Sequence, residues 1–330
     1  MAEPSRPGPI DVHAHHLSDD VTCVPHAGGS LRIEQRDGQL HLGGVPMAIT
    51  WPQLSDPALI VAEMDAVGLG TRVLSPPPYA FASTAGPDEQ RDHTARVNKG
   101  LRGAIEHATD RLVGFGIVAS HPDMTVADLD AELVALTELG LIGVAIPPQL
   151  GKTRIDQAPL RQLLERCEAR GLPVLVHPVQ EVRPGLDAYY LNNLLGNGTE
   201  TAAAIGALLL SGTLDELPEL RIAFVHGGGC APAVLGRWDH AWQRRSDVSA
   251  ATGRIPSQTF RDRIFVDLLT HDRAARELLL DKAGPDRVLL GSDRPFDMGV
   301  DDPTRAAAEV DVDLAATTLN AHRFLYGSMT

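Results

Sequence analysis

Cysteine is scarce in this chain of 330 residues: there are three, Cys23, Cys167 and Cys230, far apart and odd in number. That rules out a disulfide framework and a thiolate metal cage, and it points to a reducing, cytoplasmic setting. Aromatics make up only 4% of residues, so Ala, Leu and Val carry the apolar load. Base is short as well, with 29 Lys and Arg against 43 Asp and Glu and a net charge of −14. Nucleic acid and anionic membrane surfaces need a basic field, so both are excluded as partners. No run approaches the ~20 apolar residues of a membrane span, and "MAEPSRPGP" has no apolar signal core. No Gly-rich dinucleotide fingerprint follows the first strand.

What is present is a regular alternation. Short apolar strands ("PIDVHAH", "TRVLSPP", "RLVGFGIVA", "IGVAIPP", "LPVLVHP", "LRIAFVH", "RIFVDLL", "DRVLLGSD") are separated by amphipathic stretches of helical length. Strand–helix alternation of this kind makes a parallel sheet, and eight strands over this length predict a closed (β/α)8 TIM barrel. A doubly wound open sheet is the rival. Between the first strand and its helix, "LRIEQRDGQLHL" reads as a hairpin turning at Asp37-Gly38, within an insertion over about residues 20–50. No linker or charge block divides the chain, so one domain over 1–330 is expected.

The polar residues that end these strands carry the chemistry. "IDVHAHH" places His13 and His15 two apart, and strict alternation puts Asp11, His13 and His15 on one face and Ile10, Val12 and Ala14 on the other. His177 closes the fifth strand, His226 the sixth, and Asp293 follows the eighth. Each alone has an ordinary explanation: a buried histidine with a local partner, or a helix cap. In a barrel, however, all strand C-termini share one face, so these groups meet in one mouth. Imidazoles plus one carboxylate suit zinc, with manganese possible, and an open position describes a catalytic centre. His226, followed by three glycines, is the candidate proton carrier. The glycines either admit substrate to the backbone or make a tight strand-to-helix turn.

These residues resemble the amidohydrolase superfamily, and within it the branch of α-amino-β-carboxymuconate-ε-semialdehyde decarboxylase and related non-oxidative decarboxylases. The strings that carry the resemblance are "IDVHAHH", "SDPALIVAEMDAVG", "LPVLVHP", "FVHGGGCAPAVLGRWDHAWQRR", "DRVLLGSDRPFDMG" and "NAHRFLYG". It implies one zinc per chain held by His13, His15, His177 and Asp293, with a water on the open position. It implies that His226 and Asp293 act as the acid–base pair. "VAIPPQL" has no lysine to carbamylate, which favours a single metal. Arg245 matches an arginine that grips a substrate carboxylate from the neighbouring subunit, implying a homodimer, and Phe296 lines the pocket.

One departure bears on substrate. Where that decarboxylase has a second carboxylate-binding arginine, this chain has Met47 and Ala48 in "GVPMAITWPQL". A dicarboxylate loses a bidentate anchor there. Arg183 and Arg294 are possible substitutes, although alternation points Arg294 away from Asp293; Tyr79 and Tyr189 are candidates to read a phenol or amide. The expected activity is therefore decarboxylation of an aromatic or unsaturated carboxylic acid other than the muconate semialdehyde. A hydrolase or hydratase on the same scaffold is the alternative, and a non-catalytic metal-binding barrel the third reading.

Overall fold

A computed structural model describes residues 8–180 and 183–327. Eight parallel strands make the sheet: β1 (Ile10–His15), β2 (Thr71–Ser75), β3 (Leu112–Gly116), β4 (Gly143–Ile146), β5 (Val174–Val176), β6 (Ile222–Phe224), β7 (Ile264–Asp267) and β8 (Val288–Leu289). They pair in chain order, and bridges from Asp11 to Leu290 and from Ala14 to Arg294 join the last strand to the first. Val12 N–H donates to Leu290 O at 2.9 Å and His15 N–H to Arg294 O at 2.7 Å. The sheet is the expected TIM barrel, ringed by α1 (Pro57–Val67), α2 (Pro87–His107), α3 (Val126–Glu138), α4 (Leu160–Ala169), α5 (Asn197–Leu210), α6 (Ala231–Arg244), α7 (Arg273–Ala283) and α8 (Leu314–Tyr326).

Local chemistry sets the helix bounds. Asp56 caps α1 by accepting from the N–H groups of Ala58 and Leu59, Pro57 opens it, and Gly68 closes it at φ 73°. Thr125 and Asp128 form a reciprocal capping box at α3.

Alternation along the strands makes two packed layers. Val144, Val174, Ile222, Ile264 and Val288 face the helices. Val73, Phe115, Ala145, Leu175, Ala223, Phe265 and Leu289 fill the barrel, joined by Phe324 of α8. Phe324 is fully buried, its ring 5.8 Å from that of Phe115 and 5.6 Å from that of Phe265.

β1 departs from the strict alternation expected of it. Asp11 pairs with Arg72 and Ala14 with Leu74, three steps on one strand against two on its neighbour. This is a bulge. Ile10 and Val12 enter the barrel, whereas Ala14 belongs to the helix-facing layer. Asp11 is thereby separated from His13 and His15, correcting the shared face read from sequence.

The insertion also exceeds one hairpin. Strands Cys23–His26, Gly29–Arg36, Gln39–Leu42 and Val45–Pro46 form a four-stranded antiparallel sheet. Its central turn is at Asp37 and Gly38, both at positive φ (50° and 83°), as a two-residue hairpin requires. A helix at Pro256–Arg263 and a small strand pair, Gln149–Leu150 with Thr153–Arg154, are further elements not read from the sequence.

Candidate active site

The barrel brings the five predicted groups together around one carboxylate. His13 Nε2 lies 3.3 Å from Asp293 Oδ1, and His15 Nε2 lies 3.0 Å from the same oxygen. His226 Nε2 is 3.4 Å from Oδ2. The His177 ring centroid is 4.9 Å from that of His15 and 5.2 Å from those of His13 and His226. One donor atom each from His13, His177, His226 and Asp293 falls within a 4.8 Å group. His13, His15, His177 and Asp293 are buried, while His226 keeps 22% of its side chain exposed.

The ring nitrogens are not equivalent. His13 Nδ1 is 2.8 Å from Asp267 Oδ2, and His177 Nδ1 is 2.8 Å from the carbonyl of Pro178. Each acceptor fixes a proton on Nδ1 and leaves Nε2 as the inward-facing atom that could bind a cation. Both Nε2 atoms are buried without a hydrogen-bond partner. A buried acceptor without a donor costs about 1–3 kcal/mol, and two directed at one point fit a cation. His15 Nδ1 faces Ser75 Oγ at 3.4 Å.

Electrostatics agree. Burial opposes charge on Asp293, but the neighbouring His13 imidazole, with hydrogen bonds from His15 and His226, holds its carboxyl well below the usual range. Burial likewise opposes charge on His13, yet Asp293 and Asp267 outweigh it and raise the imidazole to about 10. His177 is pushed well down by burial and by the surrounding imidazoles. The centre is thus a carboxylate that draws positive charge towards His13, while burial keeps His15 and His177 from taking up a proton.

Backbone geometry supports the convergence. His226 and Asp293 both have positive φ (55° and 56°), a left-handed conformation that costs non-glycine residues about 1–3 kcal/mol. The glycines after His226 make a tight turn. A Cβ on Gly229 would lie 2.3 Å from Gly198 O, and Gly227 N–H donates to Asp267 Oδ1 at 2.8 Å.

Asp267 was not singled out by sequence reasoning, although it ends β7 at the same mouth. His16 turns away: its Nε2 faces Ser55 O at 3.2 Å, and burial lowers it to about 4. Phe296 stands 5.2 Å from His15 between ring centroids, with Tyr79 6.4 Å beyond it. Arg294 binds Glu63 and Asp301, and Arg183 binds Thr199 Oγ1 at 3.3 Å. Tyr189 is 90% exposed. Arg245 is not brought to this mouth within one chain: it caps the far end of α6 and pairs with Asp247 in solvent at 2.7 Å. A cavity of about 320 Å³ opens beside His226 and Asp293, walled by Leu194, Leu279, Met298 and Asn197. No lysine or arginine is among the described residues that line it.

A (β/α)8 barrel with imidazoles and a carboxylate gathered at the strand C-termini has the architecture of a metal-dependent barrel enzyme. Residues 10–327 match the Amidohydrolase family model, and the chain belongs to that family. It is 29% identical over 245 residues to 2-amino-3-carboxymuconate-6-semialdehyde decarboxylase of Dictyostelium discoideum, covering 74% of this chain and 68% of that one. It is 29% identical over 254 residues to gamma-resorcylate decarboxylase of Rhodococcus jostii, covering 71% and 75%. The 5-carboxyvanillate decarboxylase of Novosphingobium aromaticivorans, solved with manganese and 4-hydroxy-3-methoxy-5-nitrobenzoic acid, superposes with a TM-score of 0.77 at 19% identity, covering 98% and 99%. The decarboxylase branch named from the sequence motifs is the one these relatives occupy.

Proposed function

We propose that this chain is a metal-dependent, non-oxidative carboxy-lyase acting on an aromatic or unsaturated carboxylic acid other than the muconate semialdehyde. The observation that carries it is the pair of buried, inward-facing Nε2 atoms of His13 and His177, neither with a hydrogen-bond partner, beside the Asp293 carboxylate. His13, His15, His177 and Asp293 would hold one divalent cation. Zinc suits this donor set, and the manganese in the carboxyvanillate enzyme makes that ion the alternative. The cation would act as a Lewis acid that steadies negative charge on substrate oxygens.

The chain's own groups do the rest. His226 belongs to the same donor group but is its most exposed member and lines the cavity, so we assign it the proton that replaces CO2 at the substrate carbon. Asp293 Oδ2 orients that imidazole, and Phe296 offers a ring face beside His15. The proposal includes a homodimer in which Arg245 serves the partner's mouth; its exposure and its place remote from its own site support this. A cytoplasmic location is supported by three free cysteines. No helix of the described residues is long and apolar enough to cross a membrane.

The test is metal content of the native protein and His177→Ala, with a CO2-release screen of aromatic and muconic acids. About one ion per chain, lost in the variant, with CO2 from at least one acid, is expected. Metal without CO2, but with water incorporated into a lactone, amide or conjugated acid, would replace the lyase with a hydrolase or hydratase. No metal would overturn the reading.

A further inference from the structure

Beneath the metal-type cluster lies a second group of charges that touches none of its donor atoms. The side chains of Asp11, Arg72 and Ser292 are 0%, 1% and 0% exposed. Asp11 Oδ1 accepts the backbone N–H of His13 at 3.2 Å and of Ser292 at 3.0 Å. Its Oδ2 accepts from Ser292 Oγ at 2.6 Å and from Arg72 Nε at 2.9 Å. Ser292 Oγ in turn accepts from Arg294 N–H at 3.3 Å. One carboxylate therefore grips the backbone at His13 and immediately before Asp293, on strands that meet only at barrel closure. The bulge in β1 makes this possible, because it turns Asp11 out of the mouth while His13 stays in it. Glu63 of α1 completes the group from outside, 3.5 Å from Arg72 Nη1 and 2.5 Å from Arg294 Nη2.

We infer that Asp11 is a positioning residue: it sets the backbone of β1 against that of the β8 loop so that His13 Nε2 and Asp293 Oδ1 converge on one ion. A bulge leaves one residue unpaired and disrupts the ladder locally, so the junction between β1 and the β8 loop rests on few backbone bonds, among them those from Ser292 and Asp293 N–H to His13 O at 3.1 and 2.7 Å. The left-handed Asp293 gains no help from its own conformational preference. Asp11 reinforces that junction with four hydrogen bonds, and Arg72 balances its buried charge. The same arrangement accounts for Arg294, whose side chain runs to Glu63 and Asp301. The inference rests on the metal reading above, and its test separates the two.

Mn2+ dissociation constants would be measured by titration followed by electron paramagnetic resonance, for the native protein, Asp11→Asn, Ser292→Ala and Glu63→Gln. Asp11→Asn keeps the size and the Oδ1 acceptor but sets an amide N–H₂ against Arg72 and Ser292. It should weaken Mn2+ by about 10–100-fold, the usual scale for a group that orients metal ligands. Ser292→Ala, which removes only the hydroxyl link and is the milder variant should Asp11→Asn not fold, should weaken it several-fold. Glu63→Gln disturbs the same buried charges on the side away from the ligands and should stay within twofold. Equal affinity in Asp11→Asn and Ser292→Ala, or an equal loss in Glu63→Gln, would overturn the inference. If the native protein bound no Mn2+, the metal reading would fail, and the imidazole 15N resonances of His13 and His15 would still decide the positioning role. They should shift in Asp11→Asn and Ser292→Ala but not in Glu63→Gln; unmoved resonances would refute it.

Discussion

Replacing Asp267 by asparagine and by alanine should damage this protein in opposite orders, depending on what is measured. Asp267 Oδ2 faces His13 Nδ1 at 2.8 Å, while Oδ1 accepts the N–H of Gly227 at 2.8 Å and of Leu269 at 3.2 Å. In Asp267→Asn the amide oxygen must keep the second position, because an NH₂ there would oppose two donors. The amide nitrogen is then left against His13 Nδ1 and turns that atom into an acceptor. The ring proton moves to Nε2, the atom that faces Asp293, and His13 is lost as a ligand. Metal affinity should fall about 100-fold, or ~2.7 kcal/mol, at the top of the range for groups that orient ligands. In Asp267→Ala the tautomer is released rather than inverted, and about tenfold is expected. Stability should rank the other way. Alanine strands two buried N–H groups at ~1–3 kcal/mol each, whereas asparagine still satisfies both. Mn2+ titration and urea unfolding on the same two variants make the comparison. If alanine bound metal more weakly than asparagine, the assigned roles of the two carboxylate oxygens would be refuted.

Three further outcomes are expected. His226→Gln should retain the bound ion while kcat falls by about 10²–10⁴, the usual worth of a positioned proton donor; loss of the ion would make His226 a ligand instead. Phe324→Ala should lower unfolding free energy by about 3–5 kcal/mol in urea, because the ring fills the barrel between Phe115 and Phe265; a change under 1 kcal/mol would mean the barrel floor is sealed otherwise. Mixing His226→Gln with Arg245→Ala under subunit exchange should restore about a quarter of native activity if Arg245 acts across a two-fold interface, and none if each chain uses its own.

Much of the fold is legible in the sequence because its signals are local. Eight short apolar strands separated by stretches of helical length announce themselves without the rest of the chain. The cluster is legible because a barrel sends all strand ends to one face, so His177, His226 and Asp293 needed only a topology to be joined to His13 and His15. What stayed hidden depends on contacts between distant strands. The bulge in β1 exists only in its pairing with β2 and β8, so period-two alternation misplaces Asp11. Asp267 looks like any aspartate after a strand until Gly227 and His13 are set beside it. Two strands of the insertion escaped notice because Pro25 and Pro46 argue against a strand; both lie in edge strands, where a missing N–H costs little.

The closure of β8 onto β1 also sets a timetable. His15 and Asp293 touch across 278 residues of chain, so a chain growing from the ribosome carries its first imidazoles long before their carboxylate exists. Until the last strand docks, the imidazoles lack the carboxylate around which they gather. On the metal reading proposed above, the full donor set exists only after the eighth strand has been translated.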